Sequence, residues 1–112
     1  MIVTNGMKII EALSSAEVET IRRALRATVE GSFFPDWEFQ TLIGLERSEV
    51  RQILDDWPRQ SLGEVEFRCG VVNSLNNLLG YPHGCMDELA AYGLEGPEAI
   101  SAVLERLISL GL

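Results

Sequence analysis

The sequence predicts an all-α protein, a single-domain orthogonal bundle of five or six helices. Three observations lead there. Apolar residues recur at helical spacing in three stretches: Val18, Ile21, Leu25 and Val29; Val50, Ile53, Leu54 and Trp57; Ile100, Val103, Leu104 and Leu107. Helix start and stop signals bound these stretches: Ser14 and Gly31, Pro58, then Gly96-Pro97 and Gly111. At 112 residues and 46% hydrophobic, the chain has the size of one domain and can build a core without disulfides or metal.

The elements follow in order. Ile2-Val3-Thr4, Asn5-Gly6 and Met7 to Ile10 read as a short β-hairpin, with Asn-Gly supplying the turn. The alternative is that residues 1–12 form a flexible N-terminal extension. Ser14 and Glu17 have capping-box spacing, and Leu13 and Val18 stand where a hydrophobic staple would be. Pro35 opens a second helix that ends near Gly44, and a third runs from about Arg47 to Trp57. Residues 61–80 fit a helix through Val65, Cys69, Val72, Leu75 and Leu79, with Ser61 and Glu64 as a second capping box. The competing pattern is a strand over 64–69. A loop at 80–84, a short helix from Met86 to Tyr92 and a last helix after Gly96-Pro97 complete the chain.

Charge separates classes of partner. The net charge is −8, and the acidic excess falls after residue 30. Nucleic-acid affinity comes from Lys and Arg neutralising phosphates, so an acidic surface disfavours nucleic acid and favours a basic protein partner. No run of about 18 apolar residues is present, so no membrane span is expected. With no signal-peptide pattern, a cytoplasmic location is the expectation. Cys69 and Cys85 read as free thiols.

Residues 42–54 resemble the turn and second helix of a helix-turn-helix, with Gly44 at the turn, Leu45 plugging the angle, and Val50 and Ile53 facing inward. The resemblance extends over residues 35–57. It implies recognition positions at Arg47, Ser48, Arg51 and Gln52, with Arg22, Arg23 and Arg26 assisting. Gln40 departs from the pattern, which has a small residue there. Glu46, Glu49, Asp55 and Asp56 oppose phosphate contact. Gly44-Leu45-Glu46 returns as Gly93-Leu94-Glu95, which two similar helix-opening corners explain without duplication. The strings Phe33 to Phe39 and Leu75 to Gly84 are similar to those of a group of small bacterial all-α proteins. That resemblance implies a fold and no activity.

Chemical candidates are few. His83 is the lone histidine, and Cys85 stands two residues on. A nucleophile–base pair would need both, and the expectation is a loop histidine without catalytic work. Cys69, His83 and Cys85 match no structural zinc spacing, and no cofactor is expected. The acidic pairs Asp55-Asp56, Asp87-Glu88 and Glu64/Glu66 read as solvated charge. Asn73, Asn76 and Asn77 suggest amides bonded to a neighbouring loop. Of the four aromatics between Phe33 and Phe39, Phe34, Trp37 and one more are expected in the core.

These readings converge on a non-catalytic, cytoplasmic accessory protein of immunity type. It binds a basic protein through an acidic, partly aromatic surface, with Phe33, Trp37, Tyr81 and His83 as contact candidates. Homodimerisation through the aromatic segment is the modest form of the same reading. The alternatives are a helix-turn-helix regulator and an enzyme around His83.

Overall fold

A computed structural model describes residues 5–112, and within them the chain is all-helical, with no strand. Helix α1 spans Asn5–Ala12, α2 Ser15–Glu30, α3 Asp36–Ile43 and α4 Arg47–Asp56. Helix α5 (Glu64–Arg68), a π-helical turn (Cys69–Asn73) and α6 (Ser74–Gly80) follow without a break and make one rod. A 3-10 helix (Met86–Tyr92) and α7 (Pro97–Ser109) end the fold.

The hairpin expectation is corrected where it can be read: Asn5 to Ile10 are helical, although Asn-Gly suits a turn. Ile9 and Leu13 are buried, so core packing on one side of the segment outweighs local turn preference. Its first strand, residues 2–4, lies outside the described residues.

Helix α2 is the hub and packs against α4, α6, α7 and the 3-10 helix. Its capping box is formed: Ser14 N–H donates to Glu17 Oε1 at 2.8 Å and Glu17 N–H to Ser14 Oγ at 3.1 Å. Ile21, Ala24, Leu25, Ala27, Thr28 and Val29 are all buried. The two alanines let neighbouring helices approach, and Thr28 Oγ1 is satisfied by Ala24 O at 3.0 Å. The radius of gyration, 12.9 Å, is that of a compact chain of this length, for which about 13 Å is expected.

The rod follows the helical reading of 61–80, but its buried side differs. Phe67, Gly70, Val71, Ser74, Leu75 and Leu78 are buried, whereas Val65 is 72% exposed. Apolar residues stand on both flanks of this segment, so periodicity alone leaves the inward side open. The π turn adds about a residue to one turn and carries the buried stripe through Phe67, Val71, Leu75 and Leu78. The second capping box is absent: Gly63 is the N-cap and no side chain bonds there. Gly70 sits where a Cβ would lie 2.4 Å from Ile53 Cδ1 and 3.3 Å from Leu45 Cδ1, so the small residue that admits close packing at this corner is on the rod.

Candidate functional site

Three places hold the residues that carry chemistry: the α3–α4 corner, the aromatic loop around His83, and the outer side of α3.

The α3–α4 corner carries the left-handed turn expected at Gly44. Gly44 adopts φ 88°, its N–H closes on Gln40 O at 2.8 Å, Leu45 is buried, and Val50 and Ile53 are fully buried. The same device recurs at Gly93 (φ 79°) with buried Leu94, two corners built alike. Gln40 is exposed and so does not obstruct packing.

Arg47 does not face outward. Its guanidinium donates to Thr28 O (3.1 Å), Val29 O (2.8 Å), Phe34 O (3.0 Å) and Asp36 Oδ1 (2.9 Å). It also lies 4.3 Å from the centroid of the Phe39 ring. Thr28 and Val29 belong to the last turn of α2, whose carbonyls lack intrahelical partners, so Arg47 closes that helix end. Arg51 bonds Glu30 at 3.1 Å, while Ser48 and Gln52 are exposed. The corner therefore presents one paired arginine and two neutral side chains to solvent, where the family resemblance implies two free arginines.

The asparagines close the other helix end at this corner. Asn73 Nδ2 donates to Ile43 O at 2.8 Å and Asn77 Nδ2 to Leu42 O at 3.0 Å, so the amides serve the C-terminus of α3. Their partner is that helix end and not the 81–84 loop. Asn76 is exposed.

The loop after α6 folds onto Phe33 and Phe34, both buried. His83 meets Phe33 edge-on, with ring centroids 4.9 Å apart, and Tyr81 meets Phe34 at 5.7 Å. The Tyr81 hydroxyl donates to Glu38 Oε2, and this bond first, then burial and the Glu38 charge, hold the phenol above its ordinary pKa. His83 Nδ1 accepts the Cys85 N–H at 2.9 Å, so the ring proton sits on Nε2, which donates to Leu78 O at 2.9 Å. The Cys85 thiol points at the His83 carbonyl, at 3.2 Å, and not at its ring. A hydrogen bond with Glu88, burial, and the charges of Glu88 and Asp87 push that thiol upward in pKa. Thiol and imidazole are thus not arranged as nucleophile and base. Among the described residues no group of three His, Cys, Asp or Glu side chains could hold a metal ion.

Of the four contact candidates, Phe33 is buried and Tyr81 and His83 are half-buried and bonded internally. Trp37, expected in the core, is 80% exposed. The core takes Phe33, Phe34 and Phe39 in its place. Trp37 shares the outer side of α3 with exposed Gln40 and Thr41, and Gly44 follows one turn on. Alongside lies a shallow groove of about 220 Å³ lined by Val65, Arg68, Cys69, Val72 and Asn73. Sequence reasoning assigned Val65, Cys69 and Val72 to the core. The signal available against that was Phe67, which cannot share a face with Val65 two residues away on a helix. Set beside known protein families, curated proteins and solved structures, the chain matches none.

Proposed function

We propose that this helical chain, read as one orthogonally packed domain working in the cytoplasm, is a non-catalytic accessory protein of immunity type that binds and masks a basic protein. The observation that carries this reading is where the arginines go. Among the described residues, five ion pairs engage Arg22, Arg23, Arg47, Arg51 and Arg106. They use only four carboxylates: Glu17, Glu19, Glu30 and Asp36. Those five cations are held in ion pairs; Lys8, Arg26, Arg59 and Arg68 remain exposed, but they are outnumbered by exposed carboxylates, among them Asp55, Glu88, Glu95, Glu98 and Glu105. A surface of net −8 built this way attracts cationic partners and repels polyanions.

The left-handed turn at Gly44 between α3 and α4 supports a second reading, a DNA-binding regulator. It needs Arg47 and Arg51 on phosphates or bases, and both are engaged inside the molecule. Two experiments separate the readings. A mobility-shift assay with random-sequence DNA at low salt should show no complex, and a complex there would restore the regulator. Replacing Asp55, Glu88, Glu98 and Glu105 together by Lys brings the net charge from −8 to zero. That variant should lose a basic partner captured by the wild type, and that capture should weaken as salt rises. A partner retained by the variant and indifferent to salt would overturn the proposal.

A further inference from the structure

We propose that residues 81–85 form an acid-released strap over Phe33 and Phe34, latched by a neutral His83. The strap leaves α6 at Gly80, turns at Gly84 (φ 70°) and runs into the 3-10 helix. Phe33 and Phe34 lie beneath it, 1% and 3% exposed. Two side chains fasten it. The Tyr81 hydroxyl reaches Glu38 on α3 while its ring meets Phe34. The His83 ring stands edge-on to Phe33, and its centroid lies 6.3 Å from that of Phe34.

The latch uses the two ring nitrogens in opposite senses. Nε2 donates to Leu78 O, which ties the strap to α6, and Nδ1 accepts the Cys85 N–H. Only the neutral imidazole offers one donor and one acceptor. A second proton puts an N–H on Nδ1, facing the Cys85 N–H. The bond is then lost and two donors oppose each other.

Charged and titratable groups surround the strap without engaging the ring. Glu38 of α3 holds Tyr81, and Tyr92 of the 3-10 helix lies against Phe33, with centroids 6.1 Å apart. Asp87 and Glu88 of the same helix face the Cys85 thiol. Helix α6 contributes the Leu78 carbonyl. Both ring nitrogens are taken by backbone groups, so no carboxylate pairs with His83 while the strap is closed. The Tyr81 phenol and the Cys85 thiol are held above their ordinary pKa, first by the bonds to Glu38 and Glu88, so both keep their protons at neutral and acid pH. His83 is the lone histidine, which leaves the imidazole to respond between pH 7.5 and 5.5.

The sign follows from which state takes the proton. The open strap binds it in the ordinary imidazole range, at about pH 6.5, whereas the closed one must give up the Cys85 bond to do so. Closure is therefore favoured above that range and lost as pH falls through it. If the open strap alone is protonated, opening rises about tenfold between pH 7.5 and 5.5.

Hydrogen exchange of the Cys85 amide reads that opening, expressed as a protection factor to remove the intrinsic pH dependence of exchange. In the wild type the factor should fall about tenfold from pH 7.5 to 5.5, while amides of α2 keep theirs. In His83→Asn, which cannot titrate, the factor should be the same at both pH values, whatever its level. Glu38→Gln combined with Glu88→Gln should leave the fall in place. Nitrogen NMR shifts of the wild-type ring should put its proton on Nε2 at pH 7.5. A wild-type factor indifferent to pH overturns the inference, as does a fall shared by α2, an equal fall in His83→Asn, its loss in the carboxylate double variant, or a ring proton on Nδ1.

Discussion

Trp57 and Trp37 are the same side chain in two opposite settings. Trp57 follows α4, is 4% exposed, stacks on Phe67 with centroids 5.9 Å apart and planes 13° apart, and donates its indole N–H to Val18 O at 3.0 Å. Trp37 sits in the first turn of α3 and is 80% exposed. The fold therefore has the means to bury an indole and satisfy its N–H, and does so once. What differs is the competition. Around α3 the inward places are taken by Phe33, Phe34 and Phe39, and the short helix has no inward position left for a fourth ring. The lesson is that an aromatic in an amphipathic segment is assigned by its neighbours, not by its own hydrophobicity.

The largest effect should come from the buried member of the pair. Trp57→Ala removes the stacking on Phe67, opens a cavity between α2 and the rod, and removes the indole hydrogen bond to Val18 O, at a cost of about 3–5 kcal/mol. Chemical denaturation monitored by circular dichroism measures it. A loss below about 1 kcal/mol would mean that the indole is not a core element.

A second contrast of the same kind lies four residues apart on α4, between Arg47 and Arg51. Arg47 supplies four hydrogen bonds and has a side chain 28% exposed, whereas Arg51 makes one ion pair with a side chain 45% exposed. Arg47→Ala should cost about 2 kcal/mol, because carbonyls at the end of α2 lose their donor. Arg47→Lys should recover little, since an ammonium lacks the planar fork that reaches several carbonyls at once. Arg51→Ala should fall within about 0.5 kcal/mol of wild type. Equal costs at the two positions would erase the distinction between a helix-closing arginine and a surface one.

These contrasts also show what could be read before folding. The capping box at Ser14 and Glu17 and the stripe of α4 were legible because they are local, each needing only residues within one or two turns. The turn at Gly44 was legible for the same reason. Arg47 was not, because its partners Thr28, Val29 and Phe34 lie 13 to 19 residues upstream. One hint was present: a cation in the first turn of a helix opposes the helix dipole, so it must find its stabilisation elsewhere. The inner and outer sides of the rod were reversed in part because Val65, Phe67, Cys69, Val71 and Val72 offer apolar residues to both flanks, and the choice was made by contacts with α3 and α4. Candidate surface residues are harder still, since exposure is what remains after every other residue has found its place.

The smallest expected effect tests the comparison most sharply. Trp37→Ala should change the unfolding free energy by no more than about 0.5 kcal/mol, and toward greater stability if at all, because alanine is the better helix former. A Trp57→Phe variant leaves Trp37 as the sole indole, so its emission reports that position alone. The protein should emit at long wavelength and be readily quenched by acrylamide, since Trp37 is 80% exposed. Both readouts follow from one cause, an indole that the fold leaves in solvent. A destabilisation above about 1 kcal/mol, with emission blue and quencher-resistant at every dilution, would put Trp37 in the monomer's own core beside Phe39.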